Sequence, residues 1–219
     1  MSQSKRIWGW FFYDWACQPF YTLMLTFFFA PYFATVAADY FVASGMEIEA
    51  SKAKAQTMWS ICLSASGLFI GISAPILGAI ADTSGRRMPW IYVFSIMLIV
   101  GALGTWVGVP DGSNLTLMLY FFALGYIGTE FALIFTNAQL TTLGNQNEIG
   151  KISGSGFGFG YLGGVFALAI ALLFLVEQPN GTTFMLGIEP LFGFLNPENM
   201  EGTRFVGPLA AIWLSLIHI

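Results

Sequence analysis

Charge is what this chain has least of. Only 9% of its 219 residues are Asp, Glu, Lys or Arg, against about 25% in a soluble domain. That scarcity excludes most soluble folds. It also excludes disorder, which needs low hydrophobicity and high net charge. Cations are outnumbered by anions, 8 to 12, so there is no basic surface on which to gather nucleic acid. Histidine occurs once. The two cysteines, Cys17 and Cys62, both lie in apolar runs. They read as small packing residues rather than a disulfide or a metal site, and no cofactor or metal is expected. What is abundant is apolar: 56% hydrophobic residues, with 22 Phe, 25 Gly and 7 Trp. Glycine and interfacial tryptophan are enriched in membrane helices.

The apolar residues fall into long segments, running roughly 7–38, 57–81, 90–109, 115–140 and 152–176, with a shorter one over 205–213. A helix needs about 20 residues to cross a bilayer, and the first five segments meet that length. Helices are expected because every backbone polar group must be satisfied within the segment. A barrel would need alternating segments of about ten residues, and none occur. The first segment is too long for a signal peptide and contains Asp14, Gln18, Pro19 and Pro31.

Two connections are expected to be long. One, over 39–56, carries Asp39, Glu47, Glu49, Lys52 and Lys54; the other, over 177–204, carries four Glu and Arg204. Lys/Arg bias sets orientation. Lys5, Arg6, Arg86, Arg87 and Lys151 fall on one side, and Lys52, Lys54 and Arg204 on the other. The N-terminus is therefore expected in the cytoplasm, with both long loops outside. The sequons Asn114-Leu115-Thr116 and Asn180-Gly181-Thr182 both fall on connections expected outside.

The codon string CTG TCT CTT ATA CAC ATC, the end of a common transposase sequencing adapter, translates to the last six residues, Leu214 to Ile219. Residues 214–219 are expected to be an adapter-derived tail, so the native sequence ends near Trp213 and His218 carries no chemistry.

The turn between the second and third segments reads Gly78-Ala79-Ile80-Ala81-Asp82-Thr83-Ser84-Gly85-Arg86-Arg87. It resembles the signature loop of the major facilitator superfamily, Gly-x-Leu-Ala-Asp-Arg/Lys-x-Gly-Arg-Arg/Lys, with Thr83 in place of a cation. A narrower resemblance lies in Tyr13-Asp14-Trp15-Ala16-Cys17-Gln18-Pro19-Phe20, similar to the Tyr-Asp-Trp-Ala-Asn-Ser-Pro-Phe segment of the autophagy-related vacuolar effluxer-like transporters. The run from Ser153 to Gly164 resembles that branch's glycine-rich fifth span. The resemblance implies an all-α membrane protein, the N-terminal six-helix half of a twelve-helix major facilitator fold. It also implies that the loop of Gly78, Asp82, Gly85, Arg86 and Arg87 latches the two halves on the inner side, with its partner in the missing C-terminal half. A positive-inside loop with a turn glycine is the plainer account of the same residues.

Asp14 and Gln18 are spaced i, i+4, and Tyr21 follows at i+7, so the three share a helical face. Ionisable groups within a span cost about 2.5–3.5 kcal/mol on insertion scales, and usually face a bundle interior or a cavity. For Asp14, structural anchor and substrate-path residue are both open. Glu130 lies deep in the fourth segment, with Asn137 seven residues on and roughly on the same face. It can bind a proton, a cation or an amine-bearing solute, or serve as a buried acid bonded to a neighbouring helix. No segment carries an intramembrane Lys or Arg, so a carboxylate is the better candidate for any proton coupling.

Gly158-x-Gly160-x-x-Gly163 has the form of a dinucleotide fingerprint but lacks the strand that must precede it. Gly156, Gly160 and Gly164 instead form a small-residue stripe suited to close helix packing. The expected function is secondary transport of a small solute, amino acids or related metabolites by resemblance, rather than enzymatic catalysis. A channel or other non-transporting multi-span protein is the alternative. The expected partners are the solute, the lipid bilayer and the missing half, with no nucleic acid. The expected location is the plasma (inner) membrane, or the vacuolar membrane in a eukaryote.

Overall fold

The structure is a computed structural model describing residues 2–218, the side chains of Ser84, Ile217 and His218 excepted. For the tail expected over 214–219, Ile219 and the side chains of Ile217 and His218 therefore lie outside the described residues. Among the described residues the regular elements are helical: α1 (Gln3–Pro19), α2 (Phe29–Ala43), α3 (Ile48–Ser84), α4 (Met88–Gly104), α5 (Leu115–Ala138), α6 (Gln146–Ile170), a short α7 (Glu201–Arg204) and α8 (Val206–His218). Five of the resulting stretches, 3–43, 48–83, 88–107, 115–142 and 146–175, are long and apolar enough to cross a membrane.

The first stretch is continuous because a π-helical segment, Phe20–Phe27, joins α1 to α2 directly after Pro19. Proline lacks an N–H and crowds the preceding turn, and a widened turn is one way for a helix to pass it. The second stretch differs from the sequence expectation. Helix α3 begins at Ile48, where Glu47 caps it by accepting from the Ala50 N–H at 3.0 Å. The connection expected over 39–56 is thus mostly helix, and only residues 44–47 turn. At 1.5 Å per residue, the 37 residues of α3 span about 55 Å, well beyond a hydrocarbon core of about 30 Å. Its far end stops at Gly85, whose φ of +63° is open to a residue without a Cβ.

Successive passes run up and down, so the chain has two ends of loops. Turns 85–87 and 139–145 lie at the N-terminal end, where the Gln3 and Arg6 side chains donate to the carbonyls of Leu143 and Thr142. Turns 44–47 and 105–114 and the connection 176–205 lie at the opposite end. In the bundle α4 lies along α5, α1 along α6 and α2 along α3, while α8 packs on α4 and α1.

Phenylalanine fills the interior. Phe20, Phe29, Phe33, Phe122, Phe131 and Phe135 are fully buried, and the Phe94 ring stacks on Phe131 at 4.7 Å and on Phe135 at 5.7 Å. Offset stacks of this kind add about 0.5–1.5 kcal/mol each beyond area burial. Between α4 and α5 the contact is tighter still. A Cβ at Gly101 would collide with the Gly125 backbone, and one at Gly128 with the backbone of Leu98 and Phe94. Helix α3 is the least buried of the five stretches, with Ile61, Leu68, Phe69, Ile72 and Ile76 all exposed.

Candidate functional site

Helix α6 supplies a face of bare backbone. Gly156, Gly160 and Gly164 are buried against α1 and the π-segment after it. A Cβ on Gly156 would meet the Trp10 ring, one on Gly160 the Asp14 carboxylate, and one on Gly164 the Thr22 hydroxyl. Gly163 comes equally close to the Trp15 carbonyl. The missing side chains make the room that Asp14 occupies. Asp14 is 5% exposed, Gln18 lies beside its carboxyl, and Oδ2 has no hydrogen-bond partner among the described residues. Such a buried acceptor is costly unless something pairs with it.

Glu130 sits near the middle of α5, half-buried. The Tyr21 hydroxyl, from the π-helical segment of the first pass, donates to Glu130 Oε1 at 2.9 Å. Tyr126, one turn before Glu130, also reaches this carboxyl. Two phenols and an acid are thereby gathered where two different passes meet. Wide turns of this type occur often at functional positions. Asn137 lies almost two turns further along α5, exposed near its end, outside this cluster. Tyr21, expected to share a face with Asp14 and Gln18, sends its hydroxyl to α5 instead, while Asp14 and Gln18 line the glycine face of α6.

At the N-terminal end, Arg87 braces the loop after α3. Arg87 Nη2 pairs with Asp82 Oδ1 at 2.6 Å, and Nε donates to the same oxygen at 3.1 Å. Arg87 Nη1 donates to the Ala138 carbonyl at 2.7 Å, at the C-terminus of α5. A cation there meets the negative end of the helix dipole. Arg86 is exposed, and Gly78 has open space where a Cβ would lie.

The opposite end holds a cluster that the sequence did not single out. Arg204, 7% exposed, donates to the Trp106 carbonyl at 2.6 Å and lies over the Trp106 ring at 4.5 Å. Glu177 Oε2 accepts from the Thr203 N–H at 3.0 Å. Burial pushes the Glu177 carboxyl above its ordinary range, while the Thr203 N–H and the nearby Arg204 charge pull the other way. Arg204 and Glu177 were legible only as loop charges, because their partners are helix-end carbonyls and amides that no motif encodes.

Among known proteins, the chain is similar to an uncharacterized MFS-type transporter, YxiO of Bacillus subtilis (strain 168). The two are 27% identical over 176 residues, which is 80% of this chain and 39% of that protein. The chain thus spans well under half the length of this relative. No family model matches the chain, and no solved structure matches it. The apolar helices make it an integral, multi-pass membrane protein. Together with the similarity, they fit the N-terminal six-helix half of a twelve-helix major facilitator fold.

Proposed function

We propose that this chain is the N-terminal half of a major facilitator secondary transporter that moves a small solute across a membrane by alternating access. The observation that carries the reading is Glu130, an acid in the middle of an apolar pass, held by the Tyr21 hydroxyl of another pass. Ionisable groups at such depth mark solute or proton paths, and in transporters of this kind the site lies near the midplane between helices. Glu130 takes up the proton or the amine of the solute. Asp14 and Gln18, set against the glycine face of α6, flank this path from α1, and Asn137 lies beyond the cluster at the exposed end of α5. The glycine face of Gly156, Gly160 and Gly164 lets α6 and α1 approach and shift against each other.

In this reading the loop of Gly78, Asp82, Gly85, Arg86 and Arg87 is a latch. Its partner belongs to the second half of the protein, which the longer relative supports. The N-terminal end faces the cytoplasm, and the membrane is the plasma membrane, or a vacuolar membrane in a eukaryote. The resemblance of Tyr13–Phe20 and of the glycine-rich fifth pass to effluxer-like transporters directs the substrate class to amino acids or related metabolites.

The test is uptake of radiolabelled amino acids into proteoliposomes holding the transporter with both halves, with and without an imposed pH gradient. Saturable uptake, accelerated by the gradient and abolished by Glu130→Gln, is expected. Unsaturable flux would favour a channel, and a pH dependence unchanged in Glu130→Gln would remove that residue from the mechanism.

A further inference from the structure

The connection after the fifth pass is long and folded, and it does not simply stand off into water. After Val176 the chain turns back as a short hairpin, with Gln178 N–H donating to the Thr182 carbonyl at 2.8 Å. The returning strand then bonds to the end of the pass itself. The Phe184 N–H donates to the Val176 carbonyl at 3.2 Å, and the Met185 N–H to the Leu172 carbonyl at 3.1 Å. Leu172 lies inside the stretch 146–175, which is long and apolar enough to cross a membrane. Met185 is therefore level with the last turn of that pass. A second contact repeats the arrangement: the Phe192 ring lies 5.9 Å from the ring of Phe174, also inside the stretch.

The side chains of this connection are apolar and uncovered. Phe184 is 63% exposed, Met185 62%, Phe192 70% and Phe194 86%. Leu191 and Phe192 hold φ values of +46° and +59°, a region unfavourable to bulky side chains. The strained turn thus presents Phe192 and Phe194 outward instead of folding them in. From 178 to 197 the only charged residue is Glu189, and there is no Lys or Arg. Such a surface has no cation to pair with phosphate, and its fit is to the acyl side of the headgroup boundary, where aromatic and aliphatic side chains gain by leaving water.

We infer that residues 184–194 form a collar seated in the lipid interface around the end of the fifth pass, with phospholipid acyl chains as its partner. The collar fixes the depth at which this end of the bundle rides in the bilayer. It does not depend on what the protein transports.

The experiment places a nitroxide at single cysteines, Met185→Cys, Phe194→Cys and, at the exposed hairpin tip, Asn180→Cys, in a Cys17→Ala, Cys62→Ala background. The intact protein is reconstituted in phosphatidylcholine–phosphatidylglycerol vesicles, and relaxation by oxygen is compared with relaxation by a water-soluble nickel chelate. The oxygen-to-nickel ratio at 185 and 194 is expected to exceed that at 180 several-fold. Ratios equal to that at 180 would put the collar in water, and shielding from both reagents would put protein over it; either overturns the inference. Should the cysteine-free chain fail to fold, benzoylphenylalanine in place of Phe194, with both cysteines retained, gives a second reading. Irradiation is expected to yield a phospholipid adduct, whereas a protein cross-link or no adduct overturns the inference.

Discussion

Tyr21 and Glu130 are 109 residues apart in sequence and 2.9 Å apart in space. The bond joins the π-helical segment of the first pass to the middle of α5. Replacing Tyr21 with Phe keeps the ring and removes only the hydroxyl. A net hydrogen bond is worth about 0.5–1.5 kcal/mol, so uptake by the complete transporter is expected to slow by about tenfold, the scale of ~1.4 kcal/mol. Thermal stability should fall by no more than that bond's net contribution, about 0.5–1.5 kcal/mol. Initial-rate uptake beside a melting curve checks both, and an unaltered rate would leave Tyr21 a packing residue.

Two glycines of α6 give a controlled pair. At Gly160 an added Cβ would strike the Asp14 carboxylate, whereas at Gly158 it would meet nothing within 4 Å among the described residues. Overpacking costs about 1–3 kcal/mol, and exchanging a helical Gly for Ala returns about 0.8–1.0 kcal/mol. Gly160→Ala is therefore expected to destabilise on balance and Gly158→Ala to stabilise slightly. Thermal unfolding of both variants in the same detergent tests the order, and equal shifts would refute the close approach of α1 and α6.

The Asp82–Arg87 pair separates a brace from a latch. Its side chains are 61% and 29% exposed, and exposed pairs contribute about 0–1 kcal/mol. Asp82→Asn is expected to leave stability within that range while reducing transport by the complete protein. Arg87→Gln also surrenders the bond to the Ala138 carbonyl and should lower stability further. If transport fell only in proportion to stability in both variants, the loop would be a brace alone.

Glu177 predicts a pH trend. Burial raises its folded-state pKa above the unfolded value. The protonated form is thus favoured in the folded state. The resulting stability is fully present below the unfolded pKa and lost as pH rises through the folded one. Glu177→Gln removes the charge and keeps an oxygen able to accept from Thr203. Its melting temperature is expected to exceed that of the parent at alkaline pH and to converge with it in acid. A constant difference across pH would mean that Glu177 does not titrate in this range.

The long apolar segments were legible because bilayer length and backbone satisfaction leave few alternatives, and the Gly78–Arg87 string was legible because its residues are contiguous. The start of α3 was not. Glu49, Lys52 and Lys54 look like a loop to a hydropathy reading, yet their stretch lies beyond the apolar part of a helix capped by Glu47. The Tyr21–Glu130 bond was not legible either, since the acid was visible in sequence but the donor depends on how a widened turn after Pro19 is oriented. The Arg204–Trp106 and Glu177–Thr203 contacts use backbone atoms, which every residue carries alike.

The Gly101–Gly125 contact has a mechanical meaning. Where α4 and α5 touch backbone to backbone, there is no side chain to rotate, compress or change rotamer, so this joint has little compliance. The two passes form a girder. Deformation of the bundle is left to the other seams, such as α1 on α6 where side chains meet bare backbone, and to the edge where α3 stands with most of one flank bare.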